Sequence, residues 1–319
     1  MATATTVPPA TGTKTTKTRG GKESRFGGVH GSKATPYLFL LPYLALFLTF
    51  VIVPAVFGIW ISLHNWDFLL PGKPFVGADN YTALFDPSSV QFQPFWNGMR
   101  ATAIFTVASV PFLVTIPLAL AVLLNRRFPG RTFFRAVFFA PYVLGVAVIG
   151  LMWRYLLDPS FGAVNGLLSV FGIPAVPWIT DQPWAWISLV AVTIWWTIGF
   201  NAIIYLAGLG DIPGEQYEAA DLDGATIWQQ FRYITVPGLR PVMIFVITTT
   251  ILASANMFGQ SYLITQGGPG DSTRTAIIEI TERGLGQYRM GEAAAMSYLL
   301  AIFLGIIALA NAYLLREKK

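Results

Sequence analysis

A polar stretch of this largely apolar chain reads Gln216-Tyr217-Glu218-Ala219-Ala220-Asp221-Leu222-Asp223-Gly224-Ala225 and continues to Ile234-Thr235-Val236-Pro237. It lies within residues 210–240, between two long apolar segments. Its composition predicts a short helix, a turn at Gly224 and a second short helix, because glycine readily takes the left-handed conformation that ends a helix. A loop with this much predicted order is expected to bind another molecule. Residues 211–237 are called the hairpin below.

The side chains of the hairpin indicate what it binds. Ile227, Phe231 and Ile234 recur at helical spacing and predict one apolar face, and an amphipathic hairpin lying on lipid would explain that face. Anionic lipid, however, would repel its acidic residues. These are Glu215, Glu218, Asp221 and Asp223. Docking to a protein is therefore favoured, with Asp211 expected to cap the first helix and Pro237 to end the second.

The composition of the whole chain indicates a membrane protein. Hydrophobic residues make up 54% of the 319, and charged residues 12%, about half the charged fraction of an average soluble domain. The chain has no cysteine, which excludes disulfides and thiolate chemistry. Its two histidines, His30 and His64, are far apart in sequence, so no metal site is predicted.

The first 34 residues are predicted to form a separate, disordered cytoplasmic tail. They are rich in Thr, Gly and Lys and contain almost no large apolar side chain, so they cannot bury enough surface to offset the entropy of ordering. Binding of anionic lipid by basic residues of the tail is an alternative to a purely solvated tail. The basic residues are Lys14, Lys17, Arg19, Lys22 and Arg25. Residues 35–319 are predicted to form a single membrane domain.

Six apolar segments of that domain are each long enough to cross a bilayer core of about 30 Å as a helix. They are Tyr37–Leu63, Ala101–Leu124, Ala136–Leu156, Trp184–Leu209, Pro241–Tyr262 and Ala293–Leu315. None shows the strict alternation of a membrane strand. The sequence therefore predicts an all-α integral membrane protein with six transmembrane helices, and the hairpin lies between helices four and five.

The distribution of basic residues predicts the orientation of these helices. Both termini, the 125–135 loop and the hairpin region fall on one side of the predicted membrane, and they carry fifteen of the 21 Lys and Arg residues. Because cytoplasmic loops are enriched in Lys and Arg, we expect both termini and the hairpin to be cytoplasmic.

No Asp, Glu, Lys or Arg lies near the middle of any predicted span, which disfavours an ion-coupled carrier. Spans four and five instead contain aromatic and neutral polar residues, which suit a neutral, polyhydroxylated solute. The residues predicted to line the solute path are Trp196, Thr197, Phe200, Asn201, Thr250, Ser254 and Asn256. The alternative is that the small polar side chains only join helices together in lipid.

Catalysis by this chain is not predicted. A phosphate-binding loop would read G-x-x-x-x-G-K-[ST], whereas Gly21-Lys22 is followed by Glu23 and Gly72-Lys73 by Pro74. No Ser/His/Asp arrangement or intramembrane carboxylate pair is present either. The energy for transport would therefore come from a partner that acts on the hairpin.

The spacing of Glu218-Ala219-Ala220, Gly224, Ile234 and Pro237 resembles the signature loop of permease subunits in binding-protein-dependent ABC importers. Further motifs, in the correct order between residues 36 and 315, resemble the sugar-type, maltose-importer branch of that family. They are Phe75-Val76-Gly77-Ala78-Asp79-Asn80-Tyr81, Phe138-Phe139-Ala140-Pro141, Leu263-Ile264-Thr265-Gln266-Gly267-Gly268-Pro269, and Tyr288, Gly291 and Ala293-Ala294-Ala295.

This resemblance implies a permease in the plasma membrane of a bacterium or archaeon, embedded in lipid and not bound to nucleic acid. Its implied partners are a second permease, two ATPase subunits that carry ATP and Mg²⁺, and an extracytoplasmic binding protein that delivers a carbohydrate or related polyol. The residues implied to couple ATP hydrolysis to transport are Glu215, Glu218, Ala219, Ala220, Asp223, Gly224 and Pro237. A stand-alone secondary carrier or channel for a neutral solute is the alternative function, and a structural scaffold is a third.

Overall fold

The computed structural model describes residues 35–126 and 128–314. The predicted tail of residues 1–34 lies outside the described residues, and so does Leu315, the predicted end of the sixth span. The chain divides into two units, Met1–Pro54 and Ala55–Lys319.

The described residues form helices and turns. Two isolated bridges, His64–Phe75 and Asp67–Arg289, are the only extended pairings among them. The helices are α1 Thr35–Phe47, α2 Val53–Ser62, α3 Asp79–Thr82, α4 Phe92–Asn125, α5 Arg131–Val143, α6 Val146–Leu156, α7 Ala163–Val170, α8 Trp184–Gly210, α9 Gly214–Leu222, α10 Ile227–Gln230, α11 Val236–Gly238, α12 Arg240–Ala255, α13 Ala276–Thr281 and α14 Met290–Leu314. The π-helical turns are Leu48–Ile52, Phe231–Thr235, Ser261–Thr265 and Glu282–Gly286.

The described part of the first unit, from Thr35 onward, is an apolar helix with exposed side chains. Within it, α1 leads directly into the π-helical turn Leu48–Ile52. Large apolar side chains from Tyr37 to Val53 are exposed along this unit. Such a surface is suited to contact with lipid tails rather than with water.

Four helices are long and apolar enough to cross a membrane, and the number rises to six if each of two bent helix pairs counts as one span. The predicted span Ala136–Leu156 falls on one of these bent pairs, α5 and α6, which meet at an angle of 95°. The predicted span Pro241–Tyr262 is also not one continuous helix, since α12 ends at Ala255. The second span is longer than predicted, because α4 begins at Phe92 rather than at Ala101.

The corner between α5 and α6 has a local cause. Leu144 and Gly145 both take extended backbone conformations, with ψ of 135° and 151°, and two successive extended residues cannot continue a helix. Pro141, three residues earlier, has no N–H to donate within the helix. The uniformly apolar sequence of this segment does not reveal the corner.

The second unit is built around α4 and α8, which pack along each other. At one end, Leu118 and Ala121 of α4 cluster with Leu209 of α8 and Leu239, and Ile212 and Phe231 of the hairpin pack against this cluster. At the other end, a second cluster joins Phe105 of α4, Leu189 of α8 and Ile264. The hairpin and the loop that follows α12 therefore lie at opposite ends of α4 and α8.

A buried network of ion pairs fixes the end opposite the hairpin. Glu279 and Arg283 are only 3% and 5% exposed, and they lie 3.4 Å apart. Glu279 also pairs with Arg274 at 2.9 Å, and Arg283 pairs with Glu292 of α14 at 3.6 Å. Charges removed from water need such partners. In the sequence these arginines fall among the outward-facing charges, and their spacing does not reveal that they pair.

Candidate functional site

The structure brings all seven residues of the predicted solute path to one cavity. The cavity has a volume of about 520 Å³ and lies among α4, α5, α8 and α12. The seven predicted residues that line it are Trp196, Thr197, Phe200, Asn201, Thr250, Ser254 and Asn256. This volume is within the usual range for small-molecule sites, roughly 300–1,000 Å³.

One wall of the cavity is aromatic. The rings of Tyr142 and Phe200 are stacked with centroids 4.5 Å apart, and the ring of Trp196 lies beside Tyr142. Trp196 donates its Nε1–H to the carbonyl oxygen of Leu144 at 3.1 Å, an oxygen at the corner between α5 and α6. Tyr142 was not among the predicted site residues, although it directly follows the Phe138-Phe139-Ala140-Pro141 motif.

The polar wall of the cavity serves helix packing as well. Asn201 donates from Nδ2 to the Leu113 carbonyl oxygen of α4 at 3.0 Å, and the Ser254 hydroxyl lies 3.2 Å from that of Ser109. Asn256 donates to the carbonyl oxygen of Leu252 within its own helix. The contacts of Asn201 and Ser254 match the alternative interpretation, in which small polar residues join helices in lipid, whereas that of Asn256 lies at the end of α12. Asn201 and Ser254 thus have a packing role whether or not they contact a solute.

The chemistry of the lining favours an uncharged solute. Among the described residues that line the cavity there is no Asp, Glu, Lys or Arg. A charged ligand would lose its hydration here without gaining an ion partner, which is costly in a medium of low dielectric constant. Hydroxyl groups can instead form hydrogen bonds with amide and hydroxyl side chains.

Trp196→Phe is expected to destabilise the second unit by about 1 kcal/mol, because the Leu144 carbonyl oxygen would lose its donor. Trp195→Phe is the matched control. Trp195 is the neighbouring residue and lies edge-on to Trp153, with no hydrogen bond to the corner. Thermal unfolding followed by circular dichroism should show a lower midpoint for Trp196→Phe only. Equal midpoints for the two variants would contradict the role given to this hydrogen bond.

The hairpin forms a second candidate site. It contains α9 and α10, with Gly224 between them at φ +73°, so the predicted left-handed turn is confirmed. Thr226 begins α10 with a capping box, in which its side chain accepts from the Gln229 N–H and the Gln229 side chain accepts from the Thr226 N–H. The Thr-x-x-Gln pattern that produces this cap is readable in the sequence but was not used in the prediction.

Two local predictions for the hairpin were wrong. Asp211 does not cap α9. It ends α8 instead, and Pro213 occupies the position before α9, where no side-chain cap forms. The predicted apolar face is also divided, because Phe231 is half-buried against the core whereas Ile227 is exposed. Ile227 is the first residue of α10 and lies one helical turn before Phe231, and of these two only Phe231 packs against the core.

The free surface of the hairpin combines apolar and acidic groups. Leu222 is 90% exposed, and Ile227 and Trp228, five and six residues later, are also exposed. The predicted coupling residues form part of this surface: Glu215, Glu218, Ala219, Asp223, Gly224 and Pro237 are exposed and Ala220 is half-buried. The Tyr217 and Thr235 hydroxyls lie 2.9 Å apart and join the two arms. This ordered, amphipathic surface is suited to a protein partner.

These features define a class of helical protein whose described residues include membrane-length apolar helices, an internal cavity and an exposed hairpin. Residues 104–317 match the family model described as binding-protein-dependent transport system inner membrane component. The chain belongs to this family. The predicted resemblance to permease subunits of binding-protein-dependent ABC importers is therefore confirmed.

Similar proteins support the same assignment. The chain is 32% identical to the trehalose/maltose transport system permease protein MalF of Thermococcus litoralis, over 86% of this chain and 92% of that protein. It also matches the crystal structure of a bacterial ABC transporter involved in the import of the acidic polysaccharide alginate. That match has a TM-score of 0.76 and 26% identity and covers 88% of this chain and 95% of the other. A similar match, with a TM-score of 0.75, 26% identity and coverage of 88% and 94%, is to that transporter in complex with an alginate pentasaccharide-bound periplasmic protein.

Proposed function

We propose that this permease forms half of the translocation path of an ATP-driven importer for a neutral carbohydrate or related polyol. The observation that carries the proposal is the uncharged cavity between α8 and α12, the two helices that flank the hairpin. A movement of the hairpin acts directly on two walls of the cavity. The carbohydrate class is supported by the trehalose/maltose relative.

The membrane arrangement is part of this proposal. Each bent pair of helices counts as one crossing, which gives six spans. Both termini and the hairpin face the cytoplasm of a bacterial or archaeal cell, as the excess of Lys and Arg on that side indicates. Residues 1–34 form a basic cytoplasmic tail in this arrangement, followed by one membrane domain.

The partners follow from the family and from the free surfaces of the chain. A second, similar permease completes the path, and an extracytoplasmic protein delivers the solute, as in the complex of the alginate transporter with its periplasmic protein. Two ATPase subunits bind ATP and Mg²⁺ and dock on the hairpin. Transport requires that these partners bind the outward-facing and inward-facing states with different affinities.

The solute of this permease differs in charge from alginate. The structurally similar transporter takes up an acidic polysaccharide, whereas no charged side chain lines the described cavity here. A polyanion in this cavity would lack a cationic partner. We therefore expect a neutral saccharide to be the better substrate.

The test is uptake by proteoliposomes that contain the complete importer and its binding protein, with ATP enclosed or omitted. The probes are maltose, maltohexaose and alginate oligosaccharides. We expect ATP-dependent uptake of a neutral probe and none of the acidic ones. Uptake of alginate oligosaccharides alone would contradict the neutral substrate, and uptake that is independent of ATP would support the stand-alone carrier instead.

Glu218→Lys is expected to weaken coupling more than Glu218→Gln, because Glu218 is exposed on the docking surface and would meet a cationic patch of the ATPase subunit. A single surface ion pair contributes under about 1 kcal/mol, so Glu218→Gln should lose little, whereas charge reversal adds repulsion. Co-purification of the ATPase subunits and solute-stimulated ATP hydrolysis measure the effect. Identical behaviour of the two variants would show that the charge of Glu218 is not used.

A further inference from the structure

A second cavity lies at the end of the molecule opposite the hairpin. Its volume is about 490 Å³, close to that of the central cavity. It is called the vestibule here and is defined by Asn97, Arg100, Gln182, Trp186, Asp271 and Ser272, together with three small or apolar neighbours. It contains amide groups and an indole ring, as the central cavity also does, but unlike the central cavity it has a guanidinium and a carboxylate.

Three exposed polar side chains of the vestibule, those of Asn97, Arg100 and Asp271, are not used by the protein itself. Arg100 and Asp271 line the same cavity but form no ion pair, and the ion pairs of the described residues involve other side chains. The side chains of Asn97, Arg100 and Asp271 form no hydrogen bond within the described chain. Three strong hydrogen-bonding groups therefore face one space and remain available to a ligand.

The walls of the vestibule are held in place. Gln182, just before α8, donates from Nε2 to the Ser272 hydroxyl at 2.6 Å, which ties α8 to the turn that carries Asp271. Buried hydroxyls anchor the same turn, since those of Thr265 and Thr273 lie 2.7 Å apart. The Ala276 N–H donates to the Thr102 hydroxyl of α4 at 3.0 Å. The turn cannot drift from α4 or α8 without breaking these bonds, so the vestibule is preformed.

The vestibule and the central cavity lie at successive levels of α4. Asn97, Arg100 and Ile104 line the vestibule at helical spacing on α4, and Phe105, the next residue, lines the central cavity. The rise from Asn97 to Phe105 is about 12 Å. Phe105 is buried with Leu189 and Met257 in an apolar cluster. The two cavities are thus successive along α4, with this buried apolar layer between them.

We propose that the vestibule is a second saccharide-binding subsite, which holds the outer part of an extended neutral saccharide while the inner part occupies the central cavity. Asp271 accepts hydrogen bonds from sugar hydroxyls, and Asn97 and Arg100 donate to hydroxyl oxygens. Trp186 offers an aromatic ring to the C–H face of a sugar. The opposite charges of Arg100 and Asp271 suit a neutral ligand. This inference rests on the carbohydrate function proposed above.

The experiment compares short and long substrates in the complete reconstituted importer with its binding protein. The variants are Asp271→Asn and Asn97→Ala, and the probes are maltose and maltohexaose. Asparagine tolerates the left-handed conformation of Asp271, at φ +57°, so Asp271→Asn keeps the turn. We expect each variant to raise the KM for maltohexaose about fivefold or more, and the KM for maltose less than about twofold. This difference follows if the variant removes a hydrogen bond that only the longer sugar forms.

The control is Asp86→Asn, which removes an exposed carboxylate that precedes α4 and lies outside both cavities. It should retain wild-type KM values for both sugars. If the KM values for maltose and maltohexaose rise equally in the vestibule variants, the vestibule serves docking of the binding protein and the proposal is overturned. Unchanged KM values for both sugars would also overturn it. Failure of the wild-type importer to take up any saccharide would refute the proposed function itself, so the two failures are distinguishable.

Discussion

Gly199→Ala is expected to have the largest effect on folding, because α8 approaches the backbone of α5 at this residue. A Cβ atom there would lie 2.6 Å from the Phe138 carbonyl carbon and 2.6 Å from the Phe139 Cα, and closer still to the Phe138 carbonyl oxygen. These are backbone atoms, which cannot rotate away as a side chain could. Overpacking of this kind costs about 1–3 kcal/mol or more.

The matched control is Gly210→Ala on the same helix, where an added Cβ meets nothing within 4 Å. Alanine is the better helix former, so this variant should be as stable as wild type or slightly more stable. Thermal unfolding can be followed by intrinsic fluorescence, since the chain has ten tryptophans but no cysteine for a thiol-reactive dye. We expect the midpoint to fall by several degrees for Gly199→Ala alone. If both variants unfold at the wild-type temperature, α5 and α8 are not in this close contact.

Gly224→Val is expected to have the largest effect on transport. The Gly224 φ of +73° is strongly unfavourable for a β-branched residue and costs about 1–3 kcal/mol. An added Cβ would not clash, since it would meet no other atom within 4 Å. The penalty is therefore conformational and local to the turn between α9 and α10. Solute uptake and solute-stimulated ATP hydrolysis should fall by about tenfold or more, as expected from a misplaced docking surface.

Gly224→Asn separates the effect of backbone strain from the effect of adding a side chain. After glycine, asparagine is the residue that best tolerates the left-handed region. This variant should retain most of the wild-type uptake. Membrane insertion of both variants should be unchanged, since Gly224 lies on the exposed hairpin rather than in a span. Normal uptake by Gly224→Val would mean that this turn does not transmit ATP-driven movement.

Features set by short-range rules could be predicted from the sequence. The left-handed turn at Gly224 follows from the conformational freedom of glycine. The grouping of Trp196, Asn201 and Ser254 at one cavity follows from their shared depth in two apolar segments next to the hairpin. In both cases the information lies within a few residues or in one hydropathy pattern.

Features set by contacts between distant segments could not be predicted. The corner at Leu144 and Gly145 lies in a uniformly apolar segment, and its hydrogen bond comes from Trp196 on another helix. The pairing of Arg283 with Glu292 joins two elements across a turn, which a count of loop charges does not reveal. The vestibule likewise depends on how the turn at Asp271 folds back toward α4, and no local motif encodes that approach.

The contrast between α8 and its neighbours has a mechanical consequence. α8 is one unbroken helix of 27 residues, about 40 Å long, and it contains no proline. The chain on either side of the cavity, by contrast, is interrupted at Leu144 and again after Ala255. A stiff rod attached to the hairpin at one end acts as a lever, and a tilt of about 5° would displace its far end by roughly 3–4 Å for this length. The far end of α8 begins beside the vestibule. A push on the hairpin by the proposed ATPase partner would therefore displace the outer end of α8 together with the turn that Gln182 ties to it, with the interrupted segments acting as joints.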